Sequence, residues 1–525
     1  GGESFGLAPF ADLAATAGLG RSILLSLAAG LITTLAALLV VTFFIAGWLG
    51  TPVFAVLRRI VSPLLSVPHA AAAFGIAFLI APSGWLVRLV SPELTGWRYP
   101  PDFLVVNDPM GLAMMAGLVA KEIPFLLLMA LAALPQTDAA RSAHVAASLG
   151  YGKTAGFLFA VFPRLYRQIR LPVFAVIAYA SSVVDVALVL GPTNPPPLAV
   201  QLVRWMNDPD LAMRFRASAG ALLQIAVTLS AIAVWILGER LVARLGAAAV
   251  ASGRRGTADG AVRFAAAAAM SLAVAAIVLG LAGLAVWSLA GPWRFPDVLP
   301  ASFTLEGWHR AAGTLADPVA ATFVVGIVAT LVALVLTLAC LENEARTGRD
   351  GGDRSLLVLY LPLLVPQVAF LYGLQVLFFR FGLDGTLGAV VVAHLVFVLP
   401  YVFLALSDPW RAFDRRYVAV AATLGASPAR AFWRVRAPML LAAILVAAAV
   451  GFAVSVGQYL PTLLVGGGRV PTVTTEAVAL AAGRDRRVIG VYAIVQMVLP
   501  FVGFWIALAL PAVLYRDRSA MRAAA

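Results

Sequence analysis

Ionisable side chains are scarce within the long apolar stretches of this 525-residue chain, and those that occur there are the first candidates for chemistry. On insertion scales each costs about 2.5–3.5 kcal/mol at the centre of a membrane helix, a penalty usually tied to function. Asp185 lies fourteen residues into the stretch 171–192, about 21 Å along a continuous helix rising 1.5 Å per residue. It reads either as a carboxylate facing a path for a cationic or polar solute, or as a hydrogen-bonded carboxylate between helices. Lys121 and Glu122 stand ahead of Pro124 and suit a local ion pair at a broken turn. His69 follows Pro68 and Gln367 follows Pro366; both are expected at helix contacts, with the solute path as the functional reading. The histidines, at 69, 144, 309 and 394, are too scattered for a metal site, and no HExxH, GxSxG or paired-carboxylate pattern appears. Neither metal nor hydrolytic chemistry is expected of this chain. Gly-Tyr-Gly-Lys-Thr at 150–154 imitates a phosphate-binding loop, but the first glycine of Gly-x-x-x-x-Gly-Lys-[Ser/Thr] would fall on Ala147. No strand-like stretch precedes it, so nucleotide binding by this chain is not expected.

The elements that must position these residues are membrane helices. The chain is 62% hydrophobic and 12% charged, with a mean hydropathy of +0.95. A soluble domain of this size would carry far more polar surface, so lipid is the solvent for most of it. Spans are expected at 21–48, 55–81, 110–134, 171–192 and 218–238, then at 264–290, 320–341, 355–379, 387–407, 439–461 and 491–515. Each is long enough for about 30 Å of hydrocarbon. The net charge of +13 sits in connections: Arg58–Arg59, 141–170, 239–263, 342–354, 411–436, and a tail with Arg516, Arg518 and Arg522. All fall on one side if the spans alternate, which marks that side as cytoplasmic, the C-terminus with it, and argues against nucleic acid as a partner. The opposite connections, 82–109, 193–217, 291–319 and 462–490, carry fewer basic residues, with Arg484, Arg486 and Arg487 as exceptions. The single cysteine, Cys340, excludes a disulfide framework.

A stretch of twenty residues occurs twice, 275 positions apart: AASLGYGKTAGFLFAVFPRL at 146–165 and AATLGASPARAFWRVRAPML at 421–440. The copies share Ala146/Ala421, Ala147/Ala422, Leu149/Leu424, Gly150/Gly425, Phe157/Phe432, Pro163/Pro438 and Leu165/Leu440. Each reads as a short amphipathic helix on the membrane surface, stopped at a glycine free to adopt the left-handed conformation. A proline then opens the next span. The repeat extends further. Pro68 matches Pro366, Gly75 matches Gly373, Pro124 matches Pro400, Gln224 matches Gln496, and Gln458 is the approximate counterpart of Asp185. Segment 302–331 resembles 4–35 at Ser4/Ser302, Phe5/Phe303, Leu7/Leu305, Gly30/Gly326 and Leu35/Leu331. Same-order halves with the same charge pattern are parallel repeats, related by an axis along the membrane normal. The fold class expected is an all-α integral membrane protein with two pseudo-symmetric repeats of about six helices: 1–240, a cytoplasmic linker 241–263, and 264–525. The first repeat lacks a counterpart of 264–290, and the chain opens with Gly; the expectation is a processed chain from a parent of twelve helices, the alternative a natural eleven-helix protein.

Gly150 with Pro163, and Gly425 with Pro438, resemble the EAA loop of permease subunits of type I ABC importers, and the whole chain is similar to permeases that fuse both halves, such as the ferric-iron and thiamine permeases. The resemblance implies that 138–150 and 413–425 are coupling helices. The ATPase-facing set would be His144, Ala146, Ala147, Leu149, Gly150 and Pro163, with Ala419, Ala421, Ala422, Leu424, Gly425 and Pro438. The glutamate of the family motif is replaced by His144 and Ala419. It further implies a bacterial inner-membrane location, two ATPase subunits that hold the ATP and Mg, an extracytoplasmic solute-binding protein, and a small solute such as thiamine or ferric iron. The chain itself would carry no cofactor and no catalytic residue. The rival reading is an ion-coupled secondary transporter of six plus six helices, which would need embedded charge pairs and gives no reason for a matched loop in each half.

Overall fold

The computed structural model describes residues 6–516 apart from 254, 350, 482 and 484. Ser4, Phe5, Arg484, Arg518 and Arg522, which entered the readings above, lie outside the described residues. Among the described residues the chain is helical, with one isolated antiparallel bridge between Ala290 and Phe303. Among the described residues eight helices are long and apolar enough to cross a bilayer, and two bent pairs raise this to as many as ten, against the eleven spans expected. The one that fails is 171–192, because the chain breaks within it. The expected span 55–81 is also broken, so that its apolar crossing candidate becomes His69–Val90.

One compact unit comprises Gly1–Trp308, Leu363–Tyr372 and Ala481–Gly490. Its main helices are α1 (Leu19–Trp48), α2 (Pro52–Leu64), α3 (His69–Ile80), α4 (Leu112–Ala133), α5 (Ala139–Ser148), α6 (Phe162–Ser181), α7 (Asp185–Leu190), α8 (Met213–Ala251) and α9 (Gly260–Leu289). Small residues set the approach of these helices, as lipid offers no hydrophobic drive for association. Gly30 of α1 faces α6, where an added Cβ would stand 3.0 Å from the Ser181 side chain. Gly75 of α3 and Gly280 of α9 meet backbone to backbone; a Cβ on either would come within 2.7 Å of the other's carbonyl carbon. Residues 264–308, assigned by the sequence repeat to the second half, thus pack inside the first compact unit. Repeat boundary and packing boundary are different divisions of the chain.

Arg486 and Arg487, exceptions to the charge pattern, belong to this unit and are held by it. Arg486 donates to Ser83 Oγ at 2.7 Å and lies over the rings of Phe78 and Trp287, while Arg487 donates to the Gly291 carbonyl at 2.9 Å.

The other unit comprises His309–Pro362, Gly373–Leu480 and Val491–Ala525. Its chain contributes most of α10 (Glu306–Thr347), α11 (Gly352–Leu364) and α12 (Gln367–Arg380), bent by 98° at Pro366. Then follow α13 (Leu387–Arg411), α14 (Arg416–Thr423), α15 (Leu441–Gly457), α16 (Leu460–Gly466), α17 (Val473–Leu480) and most of α18 (Arg486–Leu514). Gly326, the counterpart of Gly30, meets Phe452 of α15, as Gly30 meets α6. Gly451 of α15 in turn lies against Val398 and Val402 of α13.

Candidate functional site

The twice-occurring stretch folds twice into the same object. α5 and α14 are short helices whose ends are closed by identical bonds. Gly150 N–H donates to Ala147 O at 2.9 Å and Tyr151 N–H to Ala146 O at 3.1 Å; Gly425 N–H donates to Ala422 O at 2.9 Å and Ala426 N–H to Ala421 O at 3.0 Å. This paired pattern needs a left-handed residue after the helix, and Gly150 and Gly425 take φ of 81° and 79°. A one-turn helix follows at Lys153–Gly156 and Pro428–Ala431, then a π-helical turn at Phe157–Val161 and Phe432–Arg436, every boundary displaced by the same 275 residues. Pro163 and Pro438 sit in the first turn of the next helix in each case. The helices are shorter than the 138–150 and 413–425 expected, because Leu149 and Leu424 already leave helical geometry.

Inward and outward faces also repeat. Ala146 is buried, with the Gly156 position against its methyl, and Ala421 is half-buried. Outward, Val145 is 55% and Leu149 59% exposed, and their counterparts Val420 and Leu424 are 58% and 82% exposed. His144, Ala147, Ala419 and Ala422 share the exposed surface. Each helix thus carries an apolar pair one turn apart, facing outward. Residue periodicity alone had not singled out this pair.

Behind each loop an ion pair ties the chain to a long helix. Arg170 of α6 meets Glu239 of α8 through two bonds of 3.1 and 2.7 Å. Arg436 bonds Glu342 of α10, whose other oxygen accepts from Arg346 at 2.7 Å. The Arg436 guanidinium also lies over Trp410 and Phe413, 5.5 and 5.3 Å from the ring centroids.

The embedded polar residues gather at two helix breaks in the first unit. Lys121 and Glu122 do not serve as the mutual ion pair expected, because each has a partner across the bundle. Lys121 Nζ donates at 3.0 Å to the carbonyls of both Leu64 and Leu65, where α2 ends. A cation there satisfies orphan carbonyls and complements the helix dipole. Glu122 Oε1 lies 3.3 Å from His69 Nε2, and the His69 ring sits 4.8 Å from that of Tyr179. The Tyr179 hydroxyl reaches Asp185 at 3.5 Å. Asp185 is therefore not two-thirds of the way along one continuous helix. It is the first residue of α7, after a break at 182–184.

A shorter break recurs at 458–459, before α16 starts at Leu460. Leu460, not Gln458, occupies the place of Asp185; Gln458 lies within the break itself. Gln458 Nε2 donates to His394 O at 3.3 Å, and the His394 ring nitrogens bond Ser455 Oγ and Thr462 Oγ1, both at 2.8 Å. The repeated glutamines brace both breaks. Gln224 Nε2 donates at 3.1 Å to Ser181 O, the last carbonyl of α6. Gln496 Nε2 donates at 2.8 Å to Thr474 Oγ1, which in turn donates to Val456 O, the residue matching Ser181. Gln367 opens α12 after the Pro366 bend, half-buried, in the first compact unit. It is in a different unit from Gln458.

Residues 345–515 match the family described as binding-protein-dependent transport system inner membrane component. The inner membrane ABC transporter permease protein YnjC of Escherichia coli K12 is 33% identical over 446 residues, covering 84% of this chain and 78% of YnjC. The chain belongs to the ABC transporter permeases of this family. The molybdenum transport system permease protein ModB of Mycobacterium tuberculosis is 32% identical to the permease over 155 residues, 27% of this chain and 57% of ModB. The putative 2-aminoethylphosphonate transport system permease protein PhnV of Salmonella typhimurium is 29% identical over 211 residues, 40% of this chain and 78% of PhnV. The permease is thus an all-α, multi-pass inner-membrane protein of the type I ABC importer fold, and the stretch 345–515 contains the second loop.

Proposed function

We propose that the permease carries both translocation halves of an importer, with one ATPase subunit docked under α5 and a second under α14. The observation that carries this reading is the outward apolar pair, Val145/Leu149 and Val420/Leu424, presented twice on the same capped helix. Apolar residues one turn apart on an amphipathic helix are anchors for a groove in a partner. Two equivalent anchors call for two equivalent partners, and the family's description as binding-protein-dependent fits a soluble protein delivering solute to the opposite face. ATP and Mg belong to the ATPase subunits. The loops and the C-terminus are cytoplasmic by the positive charge around them. The halves are 1–240 and 264–525, joined by 241–263.

Movement of an ATPase subunit shifts its helix, and the ion pairs behind the loop carry the shift to α8 and α10. The solute proposed is small and polar with a cationic centre, of the kind thiamine or ferric iron represents. Support comes from Asp185, Glu122, His69 and Tyr179, gathered at the breaks of one half. Gln458 and His394 supply neutral groups in the other, and Gln367 begins the helix after the Pro366 bend. Asp185→Asn is expected to slow uptake and weaken the preference for cationic over neutral solutes; unchanged rate and selectivity would remove Asp185 from the path.

The docking reading is tested by co-expressing the permease with candidate ABC ATPase and solute-binding proteins from the same organism. Two ATPase subunits per permease are expected to co-purify in detergent, and none with the double variant Leu149→Asp, Leu424→Asp. A permease that purifies alone, with uptake indifferent to ATP, overturns it.

A further inference from the structure

The two loops differ at one point. In the second, the one-turn helix after Gly425 is capped from within. Ser427 Oγ accepts the Arg430 N–H at 3.4 Å, and Pro428 fills the first helical position. The aligned residues of the first loop are Gly152 and Lys153, which provide neither a capping oxygen nor the proline. Two N–H groups at the start of that helix are satisfied from elsewhere, by the segment between α8 and α9. Asp259 Oδ2 accepts the Thr154 N–H at 3.0 Å and the Thr154 hydroxyl at 2.8 Å. Gly152 N–H donates to Arg255 O at 3.1 Å, and the Arg255 guanidinium lies 4.6 Å from the centroid of the Tyr151 ring.

Asp259 stands at the N-cap position of α9, yet its side chain does not cap α9. It caps the first loop instead. The backbones are so close that a Cβ at residue 152 would lie 2.3 Å from Gly256 O. Only glycine admits the strap there, so the missing cap and the room for its substitute are the same residue. Partial burial pushes the Asp259 carboxyl up, but its bonds to Thr154 and the charge of Arg263 outweigh this and hold it below the usual carboxylate range. The strap is anchored in turn: Arg263, one turn into α9, donates to Gly47 O at 3.2 Å and stacks over Trp48 at the end of α1.

We propose that residues 255–259 of the segment joining the halves form a latch that caps and positions the first ATPase-docking loop, with Asp259 as its positioning residue. The proposal rests on the docking role assigned to that loop above. It makes the two docking points inequivalent. The first moves together with α8 and α9, whereas the second is capped by its own Ser427. A tether of arbitrary sequence would not replace the strap.

The test uses the full-length permease with Cys340→Ser and a nitroxide label at Ser148→Cys in the first loop or at the matching Thr423→Cys in the second. Asp259→Ala is expected to increase the mobile fraction at 148 by about fivefold, the effect of a helix cap worth ~1 kcal/mol, with no change at 423. Adding Gly152→Ser to Asp259→Ala displaces the strap, because its Cβ would meet Gly256 O, and supplies in its place a local cap like Ser427; it is expected to return the label at 148 towards its original mobility. Unlabelled permease with its ATPase is expected to lose ATP-driven uptake with Asp259→Ala and regain it in the same double variant. Equal mobility at 148 with and without Asp259 overturns the latch, as does a rise of equal size at 423. Uptake unaffected by Asp259→Ala overturns its positioning role. If ATPase fails to co-purify with the unaltered chain, the docking reading falls while the mobility comparison still judges the latch.

Discussion

Replacing Gly150 and Gly425 together with valine is expected to abolish ATP-driven uptake while the permease still inserts and purifies. Both glycines hold φ near +80° in open space, where an added side chain would meet nothing within 4 Å. Packing therefore cannot be the cause of any loss; the backbone is. An L-residue forced into the left-handed region costs roughly 1–2 kcal/mol, and β-branching makes it worse, so the pair of changes costs about 2–4 kcal/mol. The chain escapes by giving up the left-handed residue. That breaks the bonds from Tyr151 to Ala146 and from Ala426 to Ala421 and turns Leu149 and Leu424 away from their present direction. If this cost falls on the docked state, uptake drops by roughly two orders of magnitude. Asparagine, which tolerates the left-handed region, is the control and should retain most of the uptake. Uptake by the valine variant equal to that of the unaltered permease would remove both loops from the coupling path. The membrane helices are untouched, so the amount of protein in the membrane should not change.

What the sequence made legible was local, and what it hid was tertiary. The two loops could be read because Gly150, Gly425, Pro163 and Pro438 state their backbone requirements in their own residue types. The break before His69 could be read from Pro68 for the same reason. The break at 182–184 could not, because Val183 and Val184 carry no such signal. It depends on Ser181 and Ser182, whose hydroxyls both bond Ala178 O in competition with the helix ladder, and on Gln224, which takes the Ser181 carbonyl from another helix. Pro172, the obvious breaker in that stretch, stays inside α6 without ending it. Gln224 and Gln496 were recognisable as a matched pair, but their task became visible only once both breaks were in place. Lys121 and Glu122 look like an ion pair because they are neighbours in sequence; on adjacent helical positions they point apart, to α2 and to His69. Asp259 was counted as part of a tether, since nothing in the residues around it announces that its cap is meant for Thr154.

The ion pairs behind the loops separate the halves by energy. Arg436 is 7% exposed at its side chain and bonds Glu342, whereas Arg170, bonded to Glu239, is 44% exposed. Breaking a buried pair by removing one partner costs about 3–5 kcal/mol, because the surviving charge stays desolvated. Exposed pairs contribute about 0–1 kcal/mol. Glu342→Ala is therefore expected to lower the thermal unfolding midpoint of the detergent-solubilised permease markedly, and Glu239→Ala only slightly. Among the described residues the Arg436 Nε has no hydrogen-bond partner, and its guanidinium lies over the faces of Trp410 and Phe413. Cation–π contact of this kind offsets about 0.5–2 kcal/mol, less than the pair supplies. Because Arg436 closes the π-helical turn after α14, the same variant should also loosen the second loop, seen as a more mobile label at Thr423→Cys with Ser148→Cys unchanged. Equal midpoints for the two variants would mean that Arg436 finds water or another acceptor once Glu342 is gone, and that α10 does not hold the second loop. The latch at Asp259 and the buried pair at Glu342 are thus separate devices on opposite loops. Loss of one should be felt at 148, and loss of the other at 423.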